Sequence, residues 1–155
     1  MRQLNTFDFD RLASHIINFK GAFPSDVVLD QFETPFCIVI NTDPSTEDGQ
    51  HWTGLVVGPV SIYFLDSYGR RFDDSSFPPI FRSTLQKIAK DKTVAFNGEV
   101  IQDIGSQACG YICLYVLHKL TLEHSIKKTF GIFSSDLKKN DRYVVQYFKD
   151  NFLNR

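Results

Sequence analysis

The sequence lacks a disulfide framework. Its three cysteines, Cys37, Cys109 and Cys113, form no CxxC pair in 155 residues, which argues for reduced thiols and against a stapled secreted domain or a structural zinc module. It also lacks any run near 18 apolar residues, and its opening stretch MRQLNTFDFD has no signal-like apolar segment. A soluble intracellular protein with no membrane partner is therefore expected. Charge of either sign is not in excess: the net value is −1, so the molecule as a whole exerts no general pull on nucleic acid. Only from Lys119 onward do eight Lys and Arg face four Asp and Glu, an excess of four positive charges. Such a face is most simply solvated surface, with nucleic-acid or membrane contact the minority reading. Low-complexity tracts, internal repeats and a linker are absent too, so residues 1–155 are expected to form one domain.

What is present is an aromatic-rich globular composition, with 43% hydrophobic residues and fifteen Phe. A chain of this length buries roughly two-thirds of the surface that its unfolded form exposes, enough for one core. The spacing of Phe9, Leu12, Ile16 and Ile17 predicts a first helix ended by Gly21 and Pro24. The run TPFCIVINT (34–42) reads as a buried strand, and DPSTEDG after it as a turn-rich loop. HWTGLVV and SIYFLD read as two further strands, giving three neighbours in an antiparallel arrangement. A helix is expected at about 79–90, a strand pair in TVAFNGEVIQ turning at Asn97-Gly98, and a helix apolar on nearly every face at about 108–122. SSDLKKNDRYVVQYFKDNF begins with a Ser cap and reads as an amphipathic C-terminal helix. Sheet and helices without strict βαβ alternation give α+β: a mixed, mostly antiparallel sheet flanked by helices.

The stretch IQDIGSQACGYICLYVLHKL (101–120) carries the chemistry. Cys109 falls in the first turn of the apolar helix, where unpaired N–H groups and the helix dipole favour an anion. A thiolate is the attacking form of cysteine, and such a position lowers a thiol's pKa. A base is then needed. His15 sits in the first helix, and His118 and His124 lie more than two turns past Cys109, all most simply surface residues. His51 instead opens a strand at the sheet rim, beside the only Trp. A cysteine and a histidine far apart in sequence are what a nucleophile site requires, because only the fold joins them.

Asp66 ends SIYFLD, and antiparallel pairing would set it beside His51, where it could fix the ring's tautomer; a turn-capping Asp is an equal alternative. Gln102 could add an oxyanion donor to the Cys109 N–H, although an exposed strand-end Gln is the commoner fate. Ser106 reads as the helix cap. Trp52 is either core or a wall of the site, and Cys113 and Cys37 read as small apolar residues. Cys109, Cys113 and His51 can also be read as metal ligands, but three without a clear fourth make a poor site. No metal and no cofactor is expected.

HW, the acid in YFLDSYG, Gln102 and SQACG, in the order His, Asp, Gln, Cys, together resemble the adenovirus-type (adenain-like) cysteine endopeptidases and the related Ulp proteases. FCIVINTDPSTEDGQHWTGLVVGP is similar to the strand, loop and HW segment of the adenoviral enzymes, and the resemblance spans roughly residues 23–122. Adenoviral enzymes carry Glu where this chain has Asp66, the Ulp group Asp; the seven-residue step from Gln102 to Cys109 is adenovirus-like. The resemblance implies an adenain/Ulp-like fold, with Cys109 the nucleophile at the start of a buried helix, His51 the base, Asp66 the orienting acid, Gln102 the oxyanion donor and Trp52 a wall of a narrow substrate groove. It implies a thiol protease cutting after glycine-containing motifs, as in a capsid-maturation protease of a virophage or Polinton-type element. Its partner would be a capsid precursor, with an activating peptide or DNA a further expectation. It would act in the host cytoplasm, nucleus or virus factory and be packaged in the virion. Removal of a ubiquitin-like modifier, a YopJ-type acetyl transfer and an inactive peptide-binding module are the alternatives that the same residues allow.

Overall fold

The computed structural model describes residues 2–153. Five strands, β1 (Phe19–Phe23), β2 (Phe36–Asn41), β3 (Trp52–Val57), β4 (Ser61–Leu65) and β5 (Thr93–Phe96), form one sheet in the order β1-β2-β3-β4-β5. The three central strands pair antiparallel, and both edge strands pair parallel with their neighbours. Five α-helices accompany the sheet: α1 (Thr6–Leu12), α2 (Pro79–Ile88), α3 (Cys109–Glu123), α4 (Ile126–Phe130) and α5 (Leu137–Phe148), the last running into a π-helical turn at Lys149–Leu153. The class is α+β with a mixed sheet.

β2 shows why its sequence is apolar without a break. Cys37 and Val39 join the core on the α3 side, while Phe36, Ile38 and Ile40 join that on the α2 side. A strand covered on both faces has no position for a polar side chain. α3 obeys the same logic: Ile112, Cys113, Leu114, Val116 and Leu117 are all buried, and each large aliphatic stabilises the fold by about 1.5–3 kcal/mol on burial.

Several expectations are corrected. The first helix stops at Leu12 rather than running on to Gly21. Asn5 and Asp8 close a capping box at its start, and after Ala13 the chain turns, with Asn18 left-handed at φ 61°. Residues 19–23 then form a strand, because the edge of β2 is open to pair with them. In TVAFNGEVIQ only the first strand forms. Asn97 takes the place of a ladder residue, donating from Nδ2 to the Asp66 carbonyl at 2.8 Å and accepting the Asp66 N–H at 3.2 Å, which ends β5. α5 is capped by Asp136, which accepts the Lys139 N–H, not by a serine. α4, capped by Ser125, is an added helix, too short to carry a periodic signal.

Candidate active site

β3 and β4 pair antiparallel with Gly54 opposite Leu65, so the residue just before β3 and the residue just after β4 come to the same end of the sheet. They are His51 and Asp66. His51 Nε2 lies 2.6 Å from Asp66 Oδ1, and the carboxylate is fully buried, at 0% exposure. Asp66 Oδ2 accepts the Arg70 backbone N–H at 3.1 Å and Arg70 Nε at 2.7 Å. Tyr68 stacks on the imidazole at 5.1 Å, with 18° between the rings, covering one of its faces.

Cys109, the first residue of α3, lies near enough to the His51 ring to act on its charge. With Nε2 taken by Asp66, Nδ1 is the nitrogen left for the sulfur. Burial alone would push the pKa of His51 down. Its interactions with Asp66 and Cys109 outweigh this and hold the ring up at about 9. Burial likewise pushes the Asp66 carboxyl up, but His51 and Arg70 hold it below the ordinary carboxylate value. At neutral pH the pair is an imidazolium on a carboxylate.

The backbone N–H groups of Cys109, Gly110 and Tyr111 find no protein acceptor among the described residues, and no side chain caps α3. Ser106 is not the cap that its position suggests: Ala108 occupies that place, and Ser106 Oγ accepts the Ala108 N–H at 3.3 Å. Gln102 is neither on a strand nor exposed. It is 1% exposed, its Oε1 accepts from the Ser67 hydroxyl, and its Nε2 donates to Ser106 O at 3.0 Å and to Ser106 Oγ at 3.1 Å. Ser67 and Ser106 thus tie the end of β4 to the loop entering α3, with Gln102 as the bridge.

Trp52 lies next to His51 but points mainly into the core. It is 6% exposed, packs edge-on against Phe9 at 4.8 Å and donates from Nε1 to the Leu4 carbonyl at 2.8 Å. Its remaining edge borders a depression of about 470 Å³ shared with Gln3, Asn5, Pro24 and Asn41. The segment before α1 also reaches α3: the Gln3 N–H donates to Gln107 Oε1 at 2.7 Å, and a Cβ on Gly110 would come within 3.1 Å of Leu4 and Phe9.

Cys113 is fully buried and its Sγ donates to the Trp52 carbonyl; burial raises its pKa, as it raises that of Cys37 to about 12. Neither suits a nucleophile. Among the described residues, no three His, Cys, Asp or Glu side chains gather as a metal-binding group. His15 and His118 are not free surface residues: their rings meet at 4.8 Å, and Phe152 stacks on His15 at 3.9 Å. A cavity of about 750 Å³ lies between residues 26–36 and α2 and includes none of His51, Asp66 and Cys109.

Tyr68, Arg70, Asn97 and Ser67 all touch the site, and no motif singled them out. An arginine four residues after the acid, directly following the glycine of the turn, was the available signal for Arg70. No family model matches the chain.

Proposed function

We propose that this chain is a cysteine endopeptidase that cuts peptide bonds through a thioester intermediate. One observation carries the reading: His51 is bonded to a fully buried carboxylate and lies within electrostatic reach of Cys109, the first residue of α3. Burying an unpaired charge is costly, and three polar groups so arranged at a sheet rim do little for packing. The matching fold reading is the adenain/Ulp-like one, with the nucleophile in the first turn of a buried helix.

The proposed steps use the groups at this rim. The Cys109 thiolate attacks the scissile carbonyl, with His51 as its counter-cation, oriented by Asp66. The oxyanion is received by the Cys109 N–H, which has no protein acceptor of its own, and by Gln102. To serve there, Gln102 Nε2 exchanges one of its two Ser106 acceptors for the oxyanion. His51 gives its proton to the leaving amine as the C–N bond breaks. Water, deprotonated by His51, then attacks the thioester, and the acid and the free thiol are released.

The proposed substrate is a glycine-containing site in a viral capsid precursor, cut in the infected cell during particle maturation. The test is mass spectrometry of a proteome-derived peptide library incubated with the wild type and with Cys109→Ala. Cleavages after glycine confined to the wild type are expected. Full turnover by Cys109→Ala would sink the reading.

A further inference from the structure

We propose that Arg70 is a positioning residue of this site, which holds one oxygen of Asp66 so that the other is presented to His51. The inference rests on the protease reading only in its effect on turnover.

A carboxylate on its own has a broad, roughly two-fold torsion and can offer either oxygen. Here the choice is made by one residue acting twice, because the Arg70 backbone N–H (3.1 Å) and Nε (2.7 Å) both reach Oδ2. Oδ1 is left for the ring at 2.6 Å, with Arg70 Nη2 at 3.5 Å the only other donor to it among the described residues. That double reach needs a tight chain reversal. The Gly69 N–H closes it onto the Asp66 carbonyl at 2.8 Å, and Gly69 is left-handed at φ 78°. A Cβ there would sit 2.7 Å from the Glu99 backbone carbon, so only glycine fits the crossing.

The guanidinium is itself fixed. It lies 4.0 Å over the Phe77 ring centre, and Nη1 donates to Ser76 Oγ at 3.1 Å. Ser76 in turn is held by Asp74 through its N–H and hydroxyl. An ordinary surface ion pair contributes little, because both partners are solvated and mobile. This one differs: the carboxylate has no exposure and the Arg70 side chain only 27%. Removing Arg70 would leave this buried carboxylate with the His51 ring as its remaining cationic partner among the described residues, free to turn either oxygen to it.

The experiment uses the full chain with ¹⁵N-labelled histidine, in the wild type, Arg70→Gln and Arg70→Lys. A short Nε2–H···Oδ1 bond gives a far-downfield, exchange-protected proton, read with no substrate present. We expect that resonance in the wild type, its loss in Arg70→Gln, and partial return in Arg70→Lys, which restores charge without the fork. On a cleavable peptide, kcat should fall at least tenfold in Arg70→Gln with KM unchanged. Heteronuclear spectra with native dispersion establish that each variant is folded. An unchanged downfield proton in folded Arg70→Gln overturns the inference, whatever the activity. If no peptide is cleaved by the wild type, the protease reading fails while the proton signal still decides the role of Arg70.

Discussion

α3 has a histidine neighbourhood near each end, and the two are opposites. At its start, His51 is buried against a carboxylate and a sulfur and is held at about 9. Further along, His118 is half-buried among rings, His15 at 4.8 Å and Tyr147 and Phe152 beyond 6 Å. Burial, helped by His15 and Lys119, drives its pKa down to about 4, against a weak opposing pull from Glu123. Burial favours the neutral imidazole in both places. What differs is the anion: Asp66 makes contact with the first ring, whereas among the described residues no carboxylate is bonded to the second. A buried histidine is therefore a base or a packing residue according to its nearest acceptor.

The largest test of that contrast is Asp66→Asn, which gives His51 an environment like that of His118 without changing its shape. Loss of the orienting acid in a hydrolase triad costs about 10⁴-fold in kcat. A loss of that order is expected, with the ¹⁵N titration midpoint of His51 falling from its raised value; a midpoint that stayed high would break the comparison.

Gln102→Ala comes next. Loss of one oxyanion donor costs about 10²–10³-fold in rate, and steady-state cleavage should show a loss in that range with the His51 titration unmoved. A rate within threefold of wild type would leave Gln102 as a structural bridge between Ser67 and Ser106.

The smallest effect lies in stability against pH. His118 has a folded pKa below its unfolded value of about 6.5, so the stability it contributes is present above that pH. It is lost as pH falls from about 6.5 to about 4, because the unfolded chain takes up the proton first. His15, also lowered by burial, adds to the same slope. His51 acts in the other sense: its contribution is complete below about 6.5 and is lost as pH rises through about 9. Urea unfolding of the wild type at pH 4.5, 6.5 and 9.5 should give the highest midpoint at 6.5. His118→Phe should flatten the acid side and leave the alkaline side alone.

Much of the fold was legible because its signals are local. Compact runs of apolar, β-branched and aromatic residues identify β2, β3 and β4, and apolar residues all round identify α3. β1 was not legible: FKGAF carries a lysine and a glycine and becomes a strand only because β2 offers an edge. The second half of the expected hairpin was lost to the Asn97 side chain, whose bonds to Asp66 no pattern of hydrophobicity can encode. In the site, the meeting of His51 with Asp66 follows from the ends of two antiparallel neighbours, which strand boundaries alone predict. The fork from Arg70 depends on the backbone angle of Gly69, and the enclosure of Gln102 depends on two serines 39 positions apart, Ser67 and Ser106.

The bond from the Trp52 indole to the Leu4 carbonyl has a practical consequence. Trp52 is the sole tryptophan, and it joins the residue beside His51 to the segment lying over the start of α3. Its fluorescence therefore reports on a single place. Emission should be blue-shifted while that segment is docked and move to the red when it lifts, so undocking at the rim can be timed separately from unfolding of the sheet.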